Sequence, residues 1–231
     1  MSAALPLLRL YTSNGSPFCL KVMVLMRELG IKSVELDYSV TAFPTAPTTT
    51  HSHLAPLGKI PALEIISARA RSATEHLDGS PSSTVLFGSQ VICQYLASIA
   101  PSNRKVLPAE GTLERFEALT TEALADGMCE AALSLRYERL ERPSALLWQE
   151  WVDGQLSKIK RAIPVLAKRR LPDPTSDVFP LDGIAAAISL YYVDRRAADS
   201  KWRDLEGGGT LDAWYRQVQQ RASWQETPFV K

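Results

Sequence analysis

Cysteine is scarce in this chain of 231 residues: there are three, Cys19, Cys93 and Cys129, an odd number at wide spacing. That pattern excludes a disulfide framework and a cysteine-based zinc site, and a reducing compartment is its simplest context. Charge of one sign is missing too. The 26 Lys and Arg nearly balance the 25 Asp and Glu, for a net charge of +1, which leaves no electrostatic footprint for nucleic acid or an anionic membrane. No apolar run reaches the roughly 18 residues a bilayer span requires. The N-terminal MSAALPLLRL is too short for a signal peptide's apolar region plus its cleavage site. No repeat of solenoid spacing is present. What remains is a chain with 45% hydrophobic residues, long enough to bury the core of one large domain or two small ones. The expectation is a soluble cytoplasmic protein without a metal, acting on small neutral or amphipathic partners.

Periodicity divides the chain. A short apolar strand, Leu7 to Tyr11, runs through the turn formers Thr12-Ser13-Asn14-Gly15 into an amphipathic helix, Pro17 to Leu29, ended by Gly30. Ile31 to Tyr38 alternates as a strand does. Residues 39 to 58 read as a long surface connection. Lys59 to Ile66 has strand composition but holds Pro61, which cannot donate to a sheet ladder, so an edge, a bulge or a cis bond is expected there. Residues 67 to 83 form a polar hairpin connection around Asp78-Gly79, and Thr84 to Phe87 a short strand. Ser89 then caps a helix carrying Val91, Ile92, Tyr95, Leu96 and Ile99. Beyond a Pro-containing linker at 101 to 111 the pattern is helical: Leu113 to Glu141, Ala145 to Leu166, a nearly all-apolar Leu181 to Arg196, and Thr210 to Ala222 after a loop at 199 to 209. Allowing for frayed ends, that makes about five helices.

The stretch Leu10 to Val22 concentrates the chemistry. Pro17 suits the first helical position because its missing N–H would have no intrahelical partner there, which makes Ser16 the N-cap. The unpaired N–H groups and positive end of that helix favour an anion, and a thiolate qualifies. On this stretch alone Ser16 reads first as a plain cap, N-cap serines being common.

Several motifs fall in register along the chain. Ser16-Pro17-Phe18 followed by Lys21-Val22, then Pro56-Leu57-Gly58-Lys59-Ile60-Pro61-Ala62-Leu63, then Gly88-Ser89-Gln90-Val91-Ile92-Cys93-Gln94-Tyr95-Leu96 together resemble the N-terminal half of the cytosolic glutathione transferases of serine or cysteine type. In the helical half Ala123 to Gly127, Ile184-Ala185, and Leu211 with Trp214-Tyr215 and Arg221-x-Ser223 are similar to bacterial and fungal members. The resemblance covers nearly the whole chain. It implies an α/β thioredoxin-like N-terminal domain over 1–100, a linker at 101–111, and an all-α C-terminal domain over 112–231 that contributes an apolar substrate pocket.

The same resemblance implies roles. Glutathione is the expected cofactor, and Ser16 the catalytic residue that hydrogen-bonds its thiolate. Cys19, in the first turn of the helix, does not align with the family's reactive cysteine and reads as structural; Tyr11 reads as core. Ile60, before a cis Pro61, pairs with the cysteinyl peptide unit; Lys59 meets the glycyl carboxylate; Ser89 holds the γ-glutamyl carboxylate; Phe18 completes the first contact region. His51 and His53 lie in a loop that often serves the glycyl end. Two departures stand out. Gly88 replaces the Glu or Asp that usually binds the γ-glutamyl ammonium, and Glu130 of a partner chain in a homodimer is the expected substitute, against the alternative of a solvated helix glutamate. Asp182 sits one place early for the family's reciprocal cap and is expected to be the N-cap itself. Met128 and Tyr137 are the expected pocket walls.

Three functions are compatible with these residues. The leading one is a glutathione transferase that activates the thiol for attack on a hydrophobic electrophile. A glutathione-dependent cis–trans isomerase of a conjugated substrate, as in secondary metabolism, uses the same thiolate. A binding module of the same fold without turnover is the non-enzymatic alternative, and Gly88 is its main argument.

Overall fold

A computed structural model describes residues 7–40, 42–45, 54–66 and 83–230. Of the hairpin connection expected at 67 to 83 all but Ser83, which opens a strand, lies outside the described residues, as do His51 and His53. The chain divides into two compact units, Met1–Arg104 with Phe229–Lys231, and Lys105–Pro228.

In the first unit β1 (Leu7–Tyr11), β2 (Val34–Asp37), β3 (Ala62–Ile66) and β4 (Ser83–Phe87) form one sheet in the order β2-β1-β3-β4. β1 runs parallel to β2, and β3 runs antiparallel to both β1 and β4. This is the thioredoxin-like sheet expected from the motifs. On one face of the pleat Leu8, Leu10 and Leu63 are buried, because residues two apart on a strand point the same way and Leu63 lies opposite Leu10. The helices α1 (Pro17–Glu28) and α2 (Ser89–Ile99) pack on each other. α1 ends as its sequence predicts: Ile31 N–H bonds Met26 C=O and Gly30 N–H bonds Arg27 C=O, the paired bonds of a Schellman closure. Pro61 precedes β3 rather than interrupting it, and the Ile60–Pro61 bond is cis.

The second unit is helical: α3 (Leu113–Arg136), α4 (Gln149–Ala167), α5 (Leu181–Arg196), α6 (Gly208–Val218) and a short α7 (Ala222–Gln225). α3 packs against both α4 and α5. α5 keeps the bounds read from its apolar run and is buried along most of its length. Elsewhere the boundaries move. The long helix expected to Glu141 gives way after Arg136 to a π-helical turn, Tyr137–Glu141, closed by Arg142 N–H on Tyr137 C=O at 3.1 Å. α4 starts at Gln149, after a 3₁₀ turn at Ser144–Leu146, and not at Ala145. The final helix splits into α6 and α7, and the loop before it carries 3₁₀ turns at Ala198–Ser200 and Trp202–Asp204. Asp182 is not the N-cap of α5: Pro180 holds that position without a side-chain bond, and Asp182 lies inside the first turn, where burial pushes its carboxyl above the ordinary range. Among the described residues no helix is long and apolar enough to cross a membrane.

Candidate thiol site at the end of the sheet

Strand register assembles the site. Tyr11 pairs with Ala62, and Ala62 with Phe87, so the last residue of β1, the first of β3 and the last of β4 form one row across the sheet. The segments leaving that row, Thr12 to Ser16, Ile60-Pro61 and Gly88-Ser89, therefore emerge at the same end. Residues far apart in sequence become neighbours because antiparallel pairing sets the start of β3 beside the ends of β1 and β4.

Local hydrogen bonds shape the first of these segments. Thr12 N–H continues the parallel ladder onto Asp37 C=O at 2.9 Å, and Ser16 N–H turns back onto Ser13 C=O at 3.2 Å. Ser13 Oγ accepts Gly15 N–H at 3.2 Å. Ser16 is extended, with φ −97° and ψ 122°, and caps α1 as expected, its Oγ accepting Cys19 N–H at 3.4 Å, with Pro17 following. The first turn of α1 holds no acidic residue, so no side chain of that turn offsets the positive helix end. Phe18 lies half-buried beside it.

Cys19 is fully buried. Burial pushes its thiol up, against the smaller opposing pull of the Ser16 and Thr12 hydroxyls and the Ser13 backbone, so it lacks the exposure and low pKa of a reactive cysteine. Tyr11 packs with Val40, Ala55 and Ala62, while its hydroxyl donates to Glu64 Oε2 at 3.0 Å. Burial raises that phenol as well.

One residue that sequence reasoning passed over also belongs here. Asn14 Oδ1 is buried and has no hydrogen-bond partner, which is uncommon for a buried polar atom and marks a place where a ligand can supply one. The signal was hidden because Asn in a turn reads as a turn former.

On the second segment Gly58 N–H bonds Ala55 C=O at 2.8 Å. Ile60 is half-buried against the Tyr11 cluster, and Lys59 is exposed. On the third segment the expectation for Ser89 needs correcting. Gly88 is the N-cap of α2, at φ 87° and ψ 118°, and Ser89 is the first helical residue. That backbone geometry is open to glycine and strained for other residues, so the chain turns into the helix one residue early. Ser89 is 7% exposed. No acidic residue stands in the first turn of α2, and N–H groups at a helix N-terminus, which have no acceptor within the helix, suit an anion.

The other expected site residues lie in the helical unit. Glu130 is exposed on α3. Met128 is 2% exposed, its sulfur 3.9 Å from Ser189 Oγ of α5. Tyr137 opens the π-helical turn beneath the Arg136 guanidinium, 5.6 Å from the ring centre, and burial raises its phenol. Among the described residues no group of three or more His, Cys, Asp or Glu could hold a metal ion.

Comparison with known proteins bears on the family and the fold. The family model described as the N-terminal domain of glutathione S-transferase matches residues 15–99. A glutathione transferase family member from Pseudomonas fluorescens Pf-5, solved with bound glutathione, is 34% identical over 97% of this chain and 100% of that one, with a TM-score of 0.80. A glutathione S-transferase from Methylobacillus flagellatus KT with glutathione bound is 26% identical over 96% and 100% of the two chains, at a TM-score of 0.74. One from Methylobacterium radiotolerans, in complex with glutathione sulfonate, is 27% identical over 97% and 96%, at 0.73. The search of curated proteins returned no match.

Proposed function

We propose, for a chain that belongs to the glutathione S-transferase family, that it binds glutathione where Thr12–Ser16, Ile60-Pro61 and Gly88-Ser89 meet and activates its thiol for attack on a hydrophobic electrophile. The observation that carries this reading is the state of the Ser16 hydroxyl. A serine hydroxyl has two acceptor lone pairs and one proton to donate. The bond from Cys19 N–H uses a lone pair, so capping the helix does not itself occupy the hydroxyl proton, which can turn from the neighbouring Cys19 sulfur to a bound thiolate. A free thiol titrates near ~8.5, and each unit of depression raises the thiolate fraction at neutral pH by roughly tenfold. Donation from Ser16 and the positive end of α1 both act in that direction.

The rest of the tripeptide is assigned by its chemistry. The γ-glutamyl carboxylate goes to the Ser89 hydroxyl and the first N–H groups of α2, the cysteinyl peptide unit pairs with the backbone of Ile60 as an added strand would, and the glycyl carboxylate lies toward Lys59. Of the two expected pocket walls we retain Tyr137, which is half-buried; Met128 supports the contact of α3 with α5. A homodimer is the assembly we assign, formed along the exposed face of α3.

The test is calorimetric binding of glutathione to wild type and to Ser16→Ala, paired with titration of the bound thiol by its thiolate absorbance. Loss of Ser16 is expected to leave binding measurable, raise the thiol pKa and lower kcat/KM with an electrophilic acceptor. If glutathione fails to bind at millimolar concentration, the reading is wrong; if thiol pKa and turnover are unchanged, Ser16 is only a cap. Mass analysis of the product separates a stable conjugate from an isomerised substrate of unchanged mass.

A further inference from the structure

The N-terminus of α2 offers donors for one charge of the γ-glutamyl group and no counter-charge for the other. Ser89 is nine-tenths buried, at 7% exposure, and among the described residues no hydrogen bond engages its hydroxyl. Beside it stand the N–H groups of the first turn, which have no acceptor within the helix. All of these are donors suited to a carboxylate. The γ-glutamyl α-carbon also bears an ammonium, which needs an acceptor or water. Gly88 has no side chain, the first turn of α2 has no acidic residue, and Ser89, Gln90 and Val91 are all neutral. A Cβ built on Gly88 would meet nothing within 4 Å, and both Gly88 and Gln90 are exposed. Within one chain, an ammonium placed there meets no carboxylate of the first turn of α2 and stays hydrated, so that turn neither strips its solvent nor rewards it with a counter-charge.

We propose that this site recognises its thiol substrate through the γ-glutamyl carboxylate and is indifferent to the γ-glutamyl ammonium, so that it accepts γ-glutamyl-type thiols whose amine is acylated or absent. The proposal rests on the glutathione reading above. Its physical basis is the open space at Gly88: an acyl group on the amine has room, and a missing amine loses only water contacts. A site that pairs the ammonium with a carboxylate would instead lose a charge-assisted hydrogen bond, worth about ten- to a hundredfold in affinity.

Four thiols tested against the full chain by calorimetry decide the matter: glutathione; N-acetyl-glutathione, whose amine is a neutral amide; glutaryl-cysteinyl-glycine, which lacks the amine and keeps the carboxylate; and 4-aminobutanoyl-cysteinyl-glycine, which keeps the amine and lacks the carboxylate. The dissociation constants of the two amine-altered thiols are expected within about threefold of glutathione, and that of the decarboxylated thiol at least about tenfold weaker. The proposal is overturned if the amine-altered thiols bind tenfold or more weakly while glutathione binds. A carboxylate then holds the ammonium, and Glu130→Gln, measured with glutathione, shows whether it comes from Glu130 of a second copy. It is overturned equally if removing the carboxylate changes nothing. Failure of all four thiols to bind removes the glutathione reading itself, a result distinct from either.

Discussion

At Ser16 one hydroxyl closes the first turn of α1 by accepting a bond and keeps the capacity to donate one, because donation and acceptance use different parts of the same group. Its capping role follows from the residues beside it, Pro17 after and a turn before, and was legible in the sequence for that reason. Gly88 is the opposite case. As a letter it shows only the absence of a carboxylate, whereas its φ of 87° shows that the turn into α2 requires glycine. Gly88→Ala is therefore expected to destabilise the protein by about 1–3 kcal/mol through backbone strain, since no neighbour would clash with the added methyl. Urea unfolding of the variant against wild type checks this; an unchanged midpoint would mean the backbone relaxes freely at that residue.

Between α3 and α4 the chain is held by a carboxylate. Glu138 accepts Trp148 N–H on Oε1 at 2.9 Å and Arg142 Nε on Oε2 at 2.8 Å; Trp148 is the residue before α4, so this bond sets where the helix begins. Periodicity alone put that start at Ala145, because Leu146, Leu147 and Trp148 look like helix-face residues while a bond made across ten residues leaves no mark in a local pattern. The Trp148 N–H first, and the Arg142 guanidinium second, hold the Glu138 carboxyl below its ordinary range. The stabilisation is complete above the unfolded value near ~4.3 and is lost as pH falls through the depressed folded value. Glu138→Gln is expected to lower the thermal midpoint at neutral pH and to flatten its decline from pH 5 to 3; parallel declines in the two proteins would remove this role.

A second tie joins α5 to α6. Trp202 is 1% exposed and donates Nε1–H to Asp194 Oδ1 at 2.7 Å. Arg203 grips the same carboxylate with two bonds at 2.6 and 2.9 Å and reaches Asp212 at 2.7 Å. Asp194→Ala leaves the indole N–H buried without an acceptor, at an expected cost of about 1–3 kcal/mol. Asp194→Asn, which keeps an acceptor, is expected to cost less in the same denaturant experiment. Equal losses would assign the effect to the ion pair alone.

For the whole molecule, the exposed face of α3 is the feature that bears on assembly. Leu113, Phe116, Thr120, Ala123, Gly127 and Glu130 recur at alternating steps of three and four along the helix and are all exposed, with Leu113 at 70% and Phe116 at 59%. An apolar start and small residues along one helix face suit close contact with a second copy. Light scattering is expected to give twice the chain mass of 25.5 kDa, and Phe116→Asp to reduce it to the single-chain value at micromolar concentration. A wild-type chain of single mass would remove the homodimer.

The amino-acid sequence by itself determined the features that depend on near neighbours: the strand–turn–helix around Ser16, the closure of α1 at Gly30, the bounds of the apolar α5, and the motifs that mark the family. Capping, helical periodicity and turn chemistry act over a few residues, so they can be read in line. Only the tertiary structure decided which of those features meet. The row Tyr11–Ala62–Phe87 brings three distant loops to one end of the sheet, leaves Asn14 with an unpaired buried oxygen there, and sets Gly88 in a conformation that side chains resist. Strand register and bonds such as Glu138 to Trp148 join residues whose separation along the chain carries no local signature, and their energies exist only once the sheet and the helices are in place.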